Sequence, residues 1–579
     1  MNATVARAGS TEYQIVRPAE AGLDFAADEL ARYLAIITGA WFAVVEEADG
    51  PAITLRVEPG EAEEYGWEVE DRRVTLWGDC ALSVLFAVYH FLETHAGCCW
   101  LADFEGGEVV PRIEALEVPC ERQIFRPAMT HRAFTNYPAI DRRTVSMVDW
   151  MAKHRFNRFM IFANAAGSLE AYEKLLRREL VGRGMQVEMG HHSFRFFLPP
   201  EAFFEEHPEW YAQLEGERST RGQVCTSNPA VAEAMAARVC DFLDQHPEIT
   251  TVGLWPNDGY GWCECPECLA QEPQEPSAVY PTQPRRTDTY LKFVNAVAER
   301  VALHHPDRSL SALAYVNYIE PPRETVPLPN VKVCFAPFQR CFKHGIRGGE
   351  GCTRPNEHYA GLLERWRRIV PGTLYLFEYL MLIDMMSLPY RIEPILPEDF
   401  QYYAGGGIDG FVLEFKPEEW GPYGENAHLI GRLAWAPEAD LEGYRAYYYQ
   451  ELYGPAAAEM LEYFSIFENS FIARGPCVHH YDLEYTRRAT HQLLQPALEH
   501  LGRAIGLAAK AEPRHREAVQ RAQTGVQLLE RVGRWRELAA QGPDRAREAG
   551  EELVQWVEAR RKSGAVDAEY IVRRVQRES

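Results

Sequence analysis

No run of about 18 apolar residues occurs in the chain, so no transmembrane helix is expected. Met1 to Glu20 contains no apolar stretch of the length a secretory signal needs, and the expected compartment is the cytoplasm. Basic residues are the scarcer charge. There are 60 Lys and Arg against 84 Asp and Glu, a formal net charge of -24. That balance argues against nucleic acid or an anionic membrane as a partner. No glycine-rich nucleotide fingerprint follows the first strand-like run of the central region, and no His-Glu-x-x-His metal spacing is found. Internal repeats and low-complexity tracts are also missing. The 13 cysteines are odd in number and unevenly scattered. Without an export signal they read as reduced thiols or metal ligands rather than a disulfide framework.

What is present is apolar material in quantity. The 579 residues are 46% hydrophobic and 12% aromatic, enough for several domains and a large core. Residues 1–125 read as a small α/β domain. Leu23, Ala26, Ala27, Leu30 and Leu34 recur at helical spacing, Ala52 to Val57 and Arg73 to Trp77 look like strands, and Ala81 to Thr94 reads as a second helix. Glu108 to Val118 is expected as a hairpin or edge strands.

From Arg126 the rhythm changes to strand, loop, helix, repeated. Eight candidate strands begin at Met129, Arg158, Gln186, Thr250, Leu310, Lys332, Leu374 and Gly410, with helical patterns between most of them. That count predicts a (β/α)8 barrel over residues 126–436. A doubly wound open sheet is the alternative, disfavoured because carboxylates and aromatics cluster just after several different strands. Residues 437–579 read as helical. The charged final helix is expected to pack on the barrel or on a partner subunit, and this region is the expected surface for a homo-oligomer.

The most distinctive stretch runs Trp255-Pro256-Asn257-Asp258-Gly259-Tyr260-Gly261-Trp262-Cys263-Glu264-Cys265-Pro266-Glu267-Cys268. It follows an apolar strand, at the end of a barrel where chemistry sits. Glycosidases need a proton donor and a second group on the other side of the sugar. Where the sugar carries a 2-acetamido group, its own carbonyl can be the nucleophile, and an amide next to a carboxylate fits that task. Asp258 is thus the candidate acid and Asn257 the candidate orienting group. The competing reading is a plain turn, which Asn-Asp-Gly also favours.

Glu378 and Glu414 each follow an apolar run and fall at the same face, as acid, base or hydroxyl ligand, or else in a structural hydrogen-bond network. Glu320 is a weaker member of this class. His191 and His192, after the third strand, are candidate substrate contacts. Trp255, Tyr260, Trp262, Tyr315, Tyr318, Phe377, Tyr379 and Trp420 lie in strand-end segments, where sugar rings stack. Basic residues in the pocket, with Arg132 and Arg340 as examples, would favour an exo-acting, uronidase-like enzyme. Cys263, Cys265 and Cys268 supply three zinc positions, and Cys225 in the preceding crossover can supply the fourth. Such a zinc would be structural, bracing the loop that presents Asp258, with no cofactor needed for catalysis. Unmetallated thiols packed under a loop are the other reading. Cys98 and Cys99 are expected in the core.

Val74 to Gly78, Ala87 to Glu93 and Gly97 to Trp100 resemble the accessory domain that precedes the barrel in β-hexosaminidases and α-glucuronidases. The Pro-Asn-Asp-Gly block with its cysteines, Thr289 to Asn295 and Gly190 to Phe194 together resemble the domain-of-unknown-function family 4838. Characterised members of that family form glycoside hydrolase family 163. The resemblance spans roughly residues 10–465. It implies hydrolysis at an N-acetylglucosamine unit, in that family an endo-cleavage of N-glycan cores. By analogy with acetamido-assisted glycosidases, Asp258 would be the acid and Asn257 would orient the acetamido group, with Glu378 as the other candidate acid. Many relatives with this activity are exported, whereas no signal is seen here. The expected protein is a retaining, acetamido-assisted glycosidase. A uronidase-like exo-enzyme and a sugar-binding protein on an inactive barrel are the rivals.

Overall fold

The computed structural model describes residues 2–19, 22–104, 106–135, 140–271, 275–380, 388–389, 391–472, 477–479 and 489–578. The N-terminal sheet has six strands in the order Arg122–Phe125, Tyr65–Glu70, Arg73–Gly78, Ala52–Val57, Gln14–Val16 and Val44–Val45. The helices Asp24–Thr38 and Ala81–Ala96 are apolar on the faces they bury. Each stops at a glycine in the left-handed region, Gly39 and Gly97, which no β-carbon obstructs. Of the hairpin or edge strands expected over 108–118, the edge strands form. Glu108–Val109 pairs with Cys99–Trp100, while Ala115–Pro119 pairs with an N-terminal strand, Asn2–Arg7. Strand pairing over that sequence distance leaves no local signal.

The eight parallel barrel strands are β1 (His131–Thr135), β2 (Arg158–Phe162), β3 (Gln186–Gly190), β4 (Ile249–Gly253), β5 (Ser309–Ala314), β6 (Val331–Phe335), β7 (Leu374–Glu378) and β8 (Gly410–Glu414). They close in chain order, β8 pairing with β1 from His131↔Gly410 to Thr135↔Glu414. Gly410 has φ of 150°, and a β-carbon there would lie 1.8 Å from the His131 carbonyl oxygen, so the seam requires glycine. The barrel interior holds a polar floor. Tyr375 Oη donates to Glu188 at 2.5 Å, Ser311 Oγ donates to the same oxygen at 3.0 Å, and the Trp255 indole N–H donates to Ser311 Oγ at 3.1 Å.

Arg132 faces outward from β1. Its guanidinium donates to Glu63 of the N-terminal domain at 2.6 Å and to the Arg155 carbonyl at 2.7 Å, and it lies over the Trp435 ring. It clamps the two domains and is no substrate contact. After the barrel helix Trp420–Trp435 come six further α-helices among the described residues, ending with Ala568–Glu578. Lys416, just past β8, reaches Asp567 at 2.7 Å, and Asp567 accepts the Tyr570 N–H at 3.0 Å, fixing the last helix over the barrel mouth. The tail therefore packs on the barrel, and it also lines the candidate site. Among the described residues no helix is long and apolar enough to cross a membrane.

Candidate functional site

At the C-terminal ends of the strands the barrel opens into a pocket of about 360 Å³. Trp255, Tyr315, Phe338, Phe377 and Tyr379 form its aromatic walls. His191, His192, Asp258 and Glu414 are its polar groups, and Arg573, Arg574 and Arg577 of the last helix stand at its edge.

The Asp258 loop is shaped by backbone demands. Gly259 and Gly261 both adopt left-handed φ, 98° and 70°. The Gln223 side chain then satisfies the loop from beneath. It accepts the Asn257 N–H at 2.8 Å and donates to the Asn257 and Tyr260 carbonyls at 2.8 and 3.0 Å. The Asn257 amide is spent in the same clamp. Its oxygen accepts the Arg195 N–H at 3.1 Å and its NH₂ donates to the Gly222 carbonyl at 3.2 Å. Asn257 does not line the pocket, whereas Asp258 does, with 70% of its side chain in solvent. The pair is thus a turn and a pocket edge at once, with only the carboxylate presented.

His191 and His192 both have positive φ, 64° and 51°, a costly backbone for non-glycine residues that places two imidazoles at the end of β3. The His191 ring stacks on Phe162 at 3.8 Å, and burial holds its pKa well below the ordinary value. His192 Nδ1 lies 2.5 Å from the Pro256 carbonyl, which can only accept, so the proton sits on Nδ1. Burial lowers the His192 pKa, with Asp258 opposing, and leaves Nε2 as an acceptor facing Asp258 at 3.7 Å.

Glu414 ends β8 inside the pocket. Burial raises its carboxyl to about 7, with Lys416 the opposing charge. Glu378, one strand away, is placed differently. It is 1% exposed and accepts from Arg340 at 2.5 Å and from Tyr403 Oη at 2.5 Å. Arg340 is itself buried and also binds Asp399. Neither Glu378 nor Arg340 lines the pocket, which corrects the expectation of an acid at Glu378 and of Arg340 as a pocket cation. Glu320 likewise anchors a loop, accepting Ser277 Oγ at 2.8 Å and the Ala278 N–H at 2.6 Å.

The aromatic expectations divide. Trp255, Tyr315, Phe377 and Tyr379 line the pocket. Tyr318 is buried behind it against Trp262 and Tyr290, and Trp420 is buried against Trp150 and Phe415. Tyr260 is 40% exposed on its loop and outside the pocket wall. Sequence reading missed Phe338, Gln223 and the three arginines. A run of basic residues at one helical face, Arg573 and Arg577, was the available signal for the last of these.

Beneath the Asp258 loop, the thiols of Cys225, Cys263, Cys265 and Cys268 lie within 4.8 Å of one another. Cys225 Sγ is 3.7 Å from Cys265 Sγ and 3.9 Å from Cys268 Sγ. A tetrahedron with Zn–S of about 2.3 Å has edges of about 3.8 Å, so this donor set fits zinc with no position left for water. Cys98 and Cys99 are buried in the N-terminal core.

Fold and pocket together define a (β/α)8-barrel protein with a carboxylate-bearing, aromatic-walled cleft at the C-terminal ends of its strands. The chain belongs to the DUF4838 family, a domain of unknown function whose model matches residues 105–465. No curated protein matches it. Several solved structures share its fold. A family GH115 4-O-methyl-α-glucuronidase with specificity for decorated arabinogalactans aligns over 97% of this chain and 78% of its own, at 11% identity and a TM-score of 0.60. A GH138 enzyme targeting pectin rhamnogalacturonan II aligns over 98% of both chains at 11% identity, TM-score 0.54. The Flavobacterium johnsoniae chitobiase aligns over 99% of this chain and 97% of its own at 11% identity, TM-score 0.52. At such identities the likeness is one of fold.

Proposed function

We propose that the protein is a glycoside hydrolase and that Glu414 and Asp258 are its two working carboxylates. The observation that carries this is their contrast within one pocket. Glu414 is a carboxyl pushed up to about 7 by burial, and Asp258 is a solvated one on a loop. Environments that separate two carboxylates in this way suit one to donate a proton and the other to meet developing positive charge. Glu414 protonates the departing oxygen, and the aromatic walls take the apolar face of the sugar ring. His192 Nε2 accepts a hydroxyl. This reassigns the acid from Asp258 to Glu414 and leaves Asn257 as the residue that holds the loop.

The substrate unit is an N-acetylhexosamine, as the family resemblance implies, and hydrolysis retains configuration with help from the acetamido carbonyl. In that step the acetamido nitrogen gains positive charge, and Asp258 is the group able to accept its N–H. Zinc held by Cys225, Cys263, Cys265 and Cys268 braces the loop from below.

One observation favours a second reading, an exo-acting glycosidase of acidic sugars. Three arginines at the pocket edge are unusual in a chain of net charge -24. The test is hydrolysis of aryl N-acetylglucosaminides, aryl glucuronides and N-glycan oligosaccharides, read by product mass. Cleavage at N-acetylglucosamine supports the first reading and cleavage of glucuronides alone the second. Sugar binding without any hydrolysis would overturn both in favour of a binding protein.

A further inference from the structure

A second group of metal-type donors lies in the loop that follows β6. Cys341, His344 and Cys352 sit on that loop, and Cys477 comes from the helical C-terminal region. Their Sγ and Nδ1 atoms are all within 4.8 Å of one another. We propose that these residues form a second tetrahedral zinc site, of Cys₃His type, that clasps the pocket-lining β6 loop to the C-terminal region.

The distances match such a site. With Zn–S of about 2.3 Å and Zn–N of about 2.0–2.1 Å, the S···N edges of a tetrahedron are about 3.6 Å and the S···S edges about 3.8 Å. Cys341 Sγ and Cys477 Sγ lie 3.3 and 3.9 Å from His344 Nδ1, and Cys477 Sγ lies 3.9 Å from Cys352 Sγ. Two of the sulfurs also accept backbone N–H groups, Cys341 from Lys343 at 3.3 Å and Cys477 from Thr353 at 3.2 Å. Such bonds stabilise thiolate over thiol. Cys341 is wholly buried and Cys477 is 8% exposed, while His344 keeps one edge towards solvent.

The location explains what the metal would do. Between β6 and the helix Asn356–Arg367 the chain runs some twenty residues without a long regular element, and such loops need bracing. This one carries Phe338 into the pocket wall and Arg340 into the Glu378 cluster. The segment bearing Cys477 meets it directly. Phe342 N–H donates to the Val478 carbonyl at 2.9 Å, and His479 Nε2 lies 3.1 Å from the Phe338 carbonyl. A metal joining residues 341 and 477 closes a long stretch of chain and fixes the Phe338 wall. The site is independent of the reaction the pocket performs.

The test is metal content of the full chain, purified without chelator and measured by elemental mass spectrometry. Cys341→Ser and Cys477→Ser are each expected to carry one zinc fewer per chain than the wild type, and His344→Cys to keep it. Should the serine variants fail to fold, cobalt(II) reconstitution of the wild-type chain gives the answer. Sulfur-to-cobalt absorption for three thiolates beyond the four of the Cys225 cluster supports the site. An unchanged zinc count in folded variants overturns it. So does a wild-type mass two hydrogens low that maps to a Cys352–Cys477 disulfide, since that bond removes two of the donors.

Discussion

Arg340 and Glu378 meet through an Nη1 to Oε1 contact of 2.5 Å in which neither side chain reaches solvent. The same guanidinium holds Asp399 through Nη2 at 2.5 Å, and Asp399 accepts the Ile346 N–H at 2.6 Å, so one cation organises the β6 loop and the end of β7. Breaking a buried ion pair costs about 3–5 kcal/mol where the remaining charge is left unpaired, but Asp399 still pairs with Arg340 once Glu378 is neutralised. Glu378→Gln is therefore expected to lower unfolding stability by less than that, about 1–3 kcal/mol for its weakened charge-assisted hydrogen bonds, while the molecules that remain folded keep most of their turnover. A variant of native melting temperature with turnover lost would return Glu378 to the reacting groups.

Glu414 carries the opposite expectation. Its folded carboxyl is raised to about 7, above the ordinary carboxylate value, so it stabilises least when forced to ionise. The stability it allows is fully present below the ordinary carboxylate range and is lost as pH rises through about 7. Glu414→Gln should melt higher than wild type at pH 8 and equally at pH 4. Turnover should fall by about 10²–10⁴ on substrates with poor leaving groups, and the alkaline fall of wild-type turnover near pH 7 should vanish. An alkaline limb that survives in Glu414→Gln assigns the acid elsewhere.

Asp258 and its neighbour should separate cleanly. Asp258→Asn is expected to leave melting unchanged, because the side chain is largely in solvent, and to lower turnover by orders of magnitude. Asn257→Ala removes two loop hydrogen bonds at about 1 kcal/mol each and should raise proteolytic sensitivity of the loop before it affects chemistry. Equal turnover in Asp258→Asn and wild type would remove Asp258 from the mechanism.

The last helix offers a substrate-class test. Arg573 pairs with Glu569 at 3.2 Å and Arg574 with Glu578, so Arg577 is the arginine chosen for substitution. If acidic sugars are substrates, Arg577→Ala should raise KM for aryl glucuronides about ten-fold, the worth of one charge-assisted hydrogen bond. KM for aryl N-acetylglucosaminides should stay constant. A uniform change across both substrates would mean that the helix shapes the pocket without reading charge.

If the Cys225 cluster holds the zinc proposed above, removing that metal is expected to loosen the Asp258 loop. Cys265→Ser should lose one zinc and show faster amide exchange over residues 257–268. Full zinc content in that variant would count against the four-thiol site.

The barrel and the end of it that bears the pocket were legible because strands buried on both sides read as continuous apolar runs, and eight of them alternated with helices. The same property hid the orientation of each residue. Alternation puts Tyr375 and Phe377 on the interior side of β7 and Glu378 on the outer side, and it turns Arg132 outward from β1. A run such as Leu-Tyr-Leu-Phe-Glu, with no alternation ahead of its glutamate, gives no phase by which to tell Glu378 from Glu414. The parity was fixed only by barrel closure and by the partners that each side chain met.

The sequence by itself determined the element order, the barrel, the family and the Cys225 cluster, since these rest on local periodicity and short motifs. Tertiary structure decided which carboxylate enters the pocket, brought Arg573 to Arg577 from the far end of the chain to its rim, and placed Cys477 beside Cys341. Those pairings join residues more than a hundred positions apart, and contact between them is set by packing of whole elements, which no local pattern encodes.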